Sequence, residues 1–442
     1  MKMNNKTQNK ERRDFIRTSA LLAGGAMLSS IPLAGAYASG SDVIRVAVIG
    51  CGGRGTGAAF DALATGANIK IVALADAFRD RLDECFKKLS DRYGDKLDVS
   101  EERKFVGFDA YKHAIPLADV VILTTSPGFR PIHFEEAVRL GKHVFMEKPV
   151  AVDVPGVRKV LAAAEEAKRK KLNVVVGLQR RYQLNYREAA KRIQDGVLGE
   201  VVAGQVYWNS GGVWVRPRQP GQTEMEYQMR NWYYFNWLCG DHIVEQHVHQ
   251  IDVANWLKGA YPVSIQGTGS RAWRNGKEYG EIYDNHAVEL TYADGSVIYS
   301  QCRHFEGTSN RVDETFQGTK GRIYLSANGN KAVLYDLKGN VIYDHPGRGN
   351  ANPYQYEHVE FFEALSKGEY KFADAEYGAK STLTGIIGRL ATYSGQVIKW
   401  DEALASNVDL MPERFAWDAL PKVLPDENGL YPYAIPGQTK VL

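Results

Sequence analysis

Apolar residues follow two rhythms along this chain, and the change of rhythm divides it. Up to about residue 180, short apolar runs alternate with helix-periodic segments. The runs 43–49, 69–75, 120–124, 143–146 and 174–177 have the length and β-branched content of strands buried on both faces. Between them, 56–65, 78–93, 131–140 and 154–171 read as helices. This alternation predicts a parallel, doubly wound sheet over residues 42–180. From Val201 the rhythm shortens: 201–208, 263–271, 285–292, 297–305, 321–325 and 332–336 read as strands, with turn dipeptides such as Asp294-Gly295 and Asn328-Gly329 between them. The expected fold is α/β, the first domain followed by an α+β domain over 181–372 with a large, mostly antiparallel, open-faced sheet. An aromatic-rich loop, 208–237, and a helix, 241–257, interrupt that sheet. A C-terminal helix and tail, 373–442, are expected to pack back on the core.

The first strand ends in a glycine cluster, Gly50-Cys51-Gly52-Gly53-Arg54-Gly55. Gly50, Gly52 and Gly55 fit G-x-G-x-x-G, in which the first glycine makes the turn, the second lets backbone approach a pyrophosphate and the third brings helix and strand together. The helix N-terminus that follows faces the phosphates. Asp76 closes the second strand, where a carboxylate accepts the adenine-side ribose hydroxyls and repels a 2′-phosphate. NAD is therefore expected and NADP disfavoured, with Arg79 near enough in sequence to blur the preference.

Composition narrows the function classes. The 442 residues are 44% hydrophobic and 24% charged, enough for two full cores, and 55 Lys and Arg stand against 52 Asp and Glu. No basic run interleaved with aromatics occurs, so neither nucleic acid nor an anionic membrane surface is indicated. Cys51, Cys85, Cys239 and Cys302 form no C-x-x-C pair and are expected as free thiols. At the N-terminus, Arg12-Arg13-Asp14-Phe15-Ile16-Arg17 precedes a mildly apolar stretch ending in Ala36-Tyr37-Ala38. Residues 1–38 resemble a twin-arginine export signal, which predicts a periplasmic protein with no permanent membrane span.

A second stretch carries titratable groups, Asp241-His242-Ile243-Val244-Glu245-Gln246-His247-Val248-His249-Gln250-Ile251-Asp252. As one helix it places His242, Glu245, His249 and Asp252 on one face and Val244, Val248 and Ile251 on the other. Three readings fit such a stripe. A metal site needs a third convergent ligand that the sequence does not identify, a solvated face is odd without a Lys or Arg, and an acid/base site agrees best with the residue types.

With these motifs in hand, the chain resembles the Gfo/Idh/MocA oxidoreductase family. The resemblance rests on the glycine turn at Gly50, Thr124-Thr125-Ser126-Pro127, His133 on the next helix, Gly141-Lys142-His143-Val144 leading to Glu147-Lys148-Pro149, and the spacing of Glu245, His249 and Asp252. It implies a Rossmann domain paired with an open-faced sheet, with Lys148 and His249 as catalytic residues. The family usually has Asp where this chain has Glu245. For the cofactor, the turn supplies Gly50, Gly52, Gly53, Arg54 and Gly55, with Asp76 at the ribose. Thr125, Ser126, Pro127, His133, Glu147 and Lys148 complete the expected cofactor contacts.

Elementary chemistry agrees. Oxidising a sugar carbinol needs a base for the hydroxyl proton and a hydride acceptor against the carbon. His249 can be that base, worth roughly a hundred- to ten-thousand-fold in rate. Lys148 can stabilise alkoxide character, and Glu245 can orient either group. Arg180, Arg181, Trp208, Asn209, Trp232, Trp237 and Gln246 are candidates for contacts to a carbohydrate substrate. No metal is assigned. Export implies a tightly bound NAD, and hence either an NAD-dependent sugar oxidoreductase or a redox-neutral glycosidase or lyase working through a transient keto-sugar. An open sheet left alone would expose a broad apolar face, which predicts a homodimer or homotetramer.

Overall fold

The computed structural model describes residues 43–347 and 352–442. The twin-arginine segment and its cleavage site lie outside the described residues. The first half is a six-stranded parallel sheet of β1 (Ile44–Ile49), β2 (Ile69–Asp76), β3 (Lys104–Val106), β4 (Val120–Leu123), β5 (His143–Met146) and β6 (Val174–Val176). Its order, β3-β2-β1-β4-β5-β6, reverses between β1 and β4. In open α/β sheets such a reversal leaves a crevice at the carboxyl ends of the strands. Here Ile49 lies beside Ala75 on one side and Leu123 on the other, so Gly50, Asp76 and Thr124 emerge at one level.

The second half is a nine-stranded mixed sheet built on β7 (Val201–Ser210), β8 (Ser264–Ser270), β9 (Asn285–Thr291), β10 (Val297–His304), β11 (Arg311–Gly318), β12 (Gly321–Ser326), β13 (Lys331–Asp336), β14 (Val341–Asp344) and β15 (Ile398–Lys399). Its order is β14-β13-β12-β11-β7-β10-β9-β8-β15. All neighbours are antiparallel except β7 and β10. One face packs on the helices Val248–Lys258 and Ala375–Ser394, and apolar residues of both sheets join in one core. The sequence pattern omits β11, because its inward positions include Glu314 beside Phe316 and break the apolar alternation.

Two expectations are corrected. The open face is not broadly apolar: it carries Gln205, Tyr207, Tyr299, Gln301 and Thr315, all half-buried, and Arg311 lies over the Tyr207 ring at 3.6 Å. The helix expected over 241–257 is broken. One turn, His242–Glu245, ends at Gln246, and a new helix runs Val248–Lys258. Among the described residues, no helix is long and apolar enough to cross a membrane. All four cysteines are free and buried.

Candidate active site

The glycine turn is shaped by close backbone approach. Gly50 has φ +98°, and a Cβ on Gly55 would meet the Gly50 carbonyl oxygen at 1.8 Å. Only glycine permits this crossing of strand and helix. Cβ atoms at Gly52 and Gly53 would meet nothing within 4 Å, so the turn opens a concavity at the start of the helix Gly53–Leu63. The amides of Cys51 and Phe78 donate to the Asp76 carboxylate at 2.6 and 2.8 Å. Burial pushes that carboxyl up and the two amides pull it back. Donor-rich backbone, open space and an acceptor at the second strand are what a dinucleotide requires, and these residues fit one.

A cleft of about 450 Å³ extends along this crevice. Gly50, Gly52, Gly53, Arg54, Asp76, Thr125, Ser126 and His133, named above for the cofactor, line it, and so does Trp232, named for the substrate. His133 accepts or donates at Thr125 Oγ1 over 3.3 Å, and burial lowers its imidazole to about 3. Pro127 instead starts a buried turn behind the cleft. Glu147 faces Arg54 at 2.5 Å, and Glu357 and Asp61 also approach that guanidinium. Burial disfavours the Arg54 cation, but the three carboxylates outweigh it and hold it protonated. Arg79 turns away to Asp83 and Glu101, and it is Arg81 that reaches the cleft.

Of the opposite wall, only Trp232 has a counterpart in the sequence reading. Trp214, Arg216, Met229, Arg230 and Trp232 form a strap across from Phe78 and Phe108. Arg230 pairs with Asp80, and behind the cleft Trp417 packs on Phe78 and Phe108 with ring centroids 5.1 and 4.7 Å apart. Only tertiary assembly brings these segments together, so no local pattern announces them.

Lys148, which is not among the residues lining that cleft, is joined to Pro149 by a cis peptide. Its Nζ donates to the Glu245 carbonyl at 2.9 Å and approaches the Glu245 carboxylate at 3.4 Å. His249 is buried, with Trp208 stacked on it at 6.0 Å between ring centroids. Burial, with Lys148 and Arg180 as nearby cations, holds its imidazole well below the usual range. His249 is therefore neutral near pH 7. Glu245 orients Lys148 and makes no hydrogen bond to His249. Arg180 is buried near Glu314 at 3.8 Å, with two of its guanidinium nitrogens lacking hydrogen-bond partners.

Several candidates are redirected. Arg181 forms a two-bonded pair with Asp252 at 2.8 and 2.9 Å and lies over the Tyr377 ring, so Asp252, one turn after His249 on the same helix, is engaged by Arg181 and the Ser381 hydroxyl. Asn209 donates to Gln301 on the open face, since neighbours on a strand point oppositely and Trp208 faces inward. Trp237 is core, donating to Gln228 at 2.7 Å. Gln246 accepts from His304 and Tyr233. His242 leaves the catalytic stripe for a buried cluster with Asp241 and His286, the one group of metal-competent side chains that converges among the described residues. Asp241 there already accepts from the His242 amide, His242 Nδ1, the Tyr283 amide and the Tyr393 hydroxyl, with His286 Nε2 at 3.3 Å. Its carboxylate is used as a structural anchor, and burial is outweighed by His286 and His242, which hold it well below the usual carboxylate range.

Known proteins match both halves. A profile of the Gfo/Idh/MocA oxidoreductase family, NAD-binding Rossmann fold, matches residues 44–176, and one of the GFO/IDH/MocA C-terminal domain matches 186–324. An inositol 2-dehydrogenase of Rhizobium meliloti is 26% identical over 335 residues, 74% of this chain and 89% of that protein. A myo-inositol 2-dehydrogenase of Thermotoga maritima is 23% identical over 82% of this chain and 100% of its own length. The crystal structure of aldose-aldose oxidoreductase from Caulobacter crescentus, 21% identical, superposes with a TM-score of 0.63 over 81% of this chain and 100% of that one. Two profiles of one family, met in order over more than half of the residues and agreeing with both sheets, leave one assignment: the chain belongs to the Gfo/Idh/MocA family of NAD-dependent oxidoreductases.

Proposed function

We propose that this enzyme oxidises a secondary alcohol of a sugar or cyclic polyol, with His249 as general base and Lys148 assisting at the same oxygen. The observation that carries the reading is the neutral, buried His249 within the electrostatic reach of Lys148, whose ammonium is anchored by Glu245. The names of the inositol dehydrogenases above support the substrate class. NAD, when bound, supplies the hydride acceptor. Gly50, Gly52 and Gly53 would hold its phosphates and Asp76 its adenine-side ribose, which favours NAD over NADP. Lys148 donates to the substrate oxygen and lowers the energy of an alkoxide there. His249 takes the hydroxyl proton. The Lys148 charge that disfavours an imidazolium also favours the alkoxide, so both groups act on one proton.

The test mixes purified protein with inositols, aldoses and aryl glycosides while NADH absorbance and released aglycone are followed together. NADH formation with a polyol or aldose is expected, and absence of both signals on every compound would overturn the reading. A second reading, redox-neutral cleavage through a transient keto-sugar, is favoured by the strap and the aromatic packing around the cleft, which suit a retained cofactor reduced and reoxidised in place. Aglycone released without net NADH would select it.

Export through residues 1–38 to the periplasm belongs to the same proposal. Its support is the arginine pair, and Arg12→Lys with Arg13→Lys is expected to leave full-length protein in the cytoplasm. Self-association as a dimer or tetramer through the open sheet face is supported by its half-buried tyrosines, Tyr207, Tyr299 and Tyr324, and light scattering tests it.

A further inference from the structure

Behind the strap, a hydrogen-bonded chain runs from Arg274 through His304 to Gln246, and chemistry alone fixes its direction. Arg274 is 2% exposed, and its Nη2 lies 2.5 Å from His304 Nδ1. A guanidinium only donates, so Nδ1 is the acceptor and the proton of the neutral ring sits on Nε2. That Nε2 donates to Gln246 Oε1 at 2.6 Å, and the Tyr233 hydroxyl donates to the same oxygen at 3.3 Å. Exchanging oxygen and nitrogen of the Gln246 amide would set N–H against N–H, which leaves one orientation. Oε1 then has both lone pairs engaged. The Nε2 amide group has no hydrogen bond within the described residues and is not among the buried unpartnered atoms, so it opens outward as a donor.

Its place gives that donor a use. Gln246 begins at the carbonyl that accepts Lys148 Nζ, sits at the break between the two helices, and precedes His249 by three residues. On its other side Tyr233 packs against Trp232 and Trp214 of the strap.

We infer that Gln246 is a specificity-determining hydrogen-bond donor of the substrate site, and that Arg274 and His304 are positioning residues that fix its polarity. At this point the site offers an N–H and no acceptor, so it selects a substrate oxygen, hydroxyl or carbonyl, and rejects an ammonium. The surroundings keep the relay in this state. His304 faces the His242 ring at 4.6 Å and the Arg274 cation, and burial together with these two holds its imidazole well below the usual range. Asp241 is the nearby carboxylate, and its oxygens are taken by its own donors.

The substrate arm of this inference rests on the polyol reading, whereas the tautomer does not. The first measurement is therefore independent of turnover: nitrogen NMR of the side chains in histidine-labelled full-length protein, with His304 assigned by its loss in His304→Gln. His304 in the Nε2–H tautomer from pH 5 to 8 is expected, and an Nδ1–H ring or an imidazolium overturns the inference. The second uses glucose and its 2-, 3-, 4- and 6-amino-deoxy analogues, with binding to the NAD-loaded protein followed alongside turnover. Gln246→Glu keeps the inner acceptor and converts the outer donor to an acceptor. It is expected to raise KM for the neutral sugar roughly tenfold or more with kcat little changed, and to improve binding of one amino analogue. His304→Leu should reproduce the KM increase, while His304→Gln, which can accept at one atom and donate from the other, restores it. Unchanged sugar affinity in a folded, NAD-loaded Gln246→Glu protein, or equal behaviour of His304→Leu and His304→Gln, would falsify the assignment even if the wild-type enzyme oxidises polyols. Wild-type protein that neither binds nor turns over any of these sugars overturns the polyol reading instead, and the tautomer measurement still decides the relay.

Discussion

The dinucleotide crevice and the substrate face are built on opposite plans. The crevice is made of backbone: Gly50 and Gly55 touch main chain to main chain, and Asp76 is held by two amides from its own turn and the neighbouring one. The proposed substrate face draws on side chains from distant segments, Lys148 after β5, Trp208 on β7, and Gln246 and His249 on either side of a helix break. A backbone site tolerates little change of shape and is indifferent to most of the surrounding sequence. A side-chain site can change specificity by single replacements while the fold stays the same.

The contrast can be broken first at the catalytic pair. His249→Ala and Lys148→Ala are each expected to lower turnover by roughly a hundredfold or more, with the double variant little worse than either, because groups acting on one proton are not additive. NAD content, read by mass spectrometry of the denatured protein, should stay near that of the wild type in all three. Loss of NAD together with activity would mean that the two regions are not separable. The converse change is Gly55→Ala. Its Cβ would press on the Gly50 carbonyl, so NAD affinity should fall roughly tenfold or more, measured by NADH fluorescence titration. Unaltered affinity would show that the close crossing is not needed for the cofactor.

A smaller effect separates support from chemistry. Asp252→Asn removes the charge partner of Arg181 in a pair whose acid is 1% exposed, and should cost roughly 3 kcal/mol in denaturant unfolding. Its turnover per folded molecule should remain within a few-fold of the wild type, and a catalytic defect as deep as that of His249→Ala would return Asp252 to the active site.

The smallest effects are in pH. His249 is neutral through burial and neighbouring cations, so the acid limb of kcat/KM should lie below pH 6.5, and a limb at or above that value would point to another base. Stability should follow the same sign. Burial lowers His242 and His143 to about 4 and His358 to about 3. Above pH 6.5 these groups are neutral folded or unfolded and nothing is lost; below it the unfolded chain takes up protons that the folded chain refuses. Melting temperature should therefore decline as pH falls from 6.5 towards 4, and a flat profile would contradict the burial of these rings.

The same contrast explains what could be read from sequence. Five of the six parallel strands and the glycine turn were legible because each is a local signal, an apolar run or a glycine that the backbone requires, whereas β3, three residues with no buried position, has no apolar run to show. The histidine stretch was half legible: its residue types pointed to acid/base chemistry, and Lys148 does meet Glu245 while His249 lies near. Its geometry was not legible, because Gln246 ends the helix without a proline or glycine to announce the break, and the rotation sends His242 elsewhere, while Asp252 stays on the helix of His249 and is taken by Arg181. His286, Ser300, His304 and Glu314 were missed for a related reason. They occupy inward positions of the large sheet, where a period-two reading takes polar residues as outward. Arg274 lies in a loop with no pattern at all and is defined only by what it touches.

The packing of Trp417 on Phe78 and Phe108 also sets an order of events in time. The floor of the cleft is encoded between residues 44 and 146, whereas the aromatic residues that brace it from behind, Phe415 and Trp417, come some 270 positions later. On a ribosome the nucleotide-binding turn therefore emerges long before its brace exists. NAD meeting the chain before residues 415–417 have packed would meet an unbraced crevice, and NAD leaving the finished fold would leave a braced one, so capture and loss need not share one form of the polypeptide.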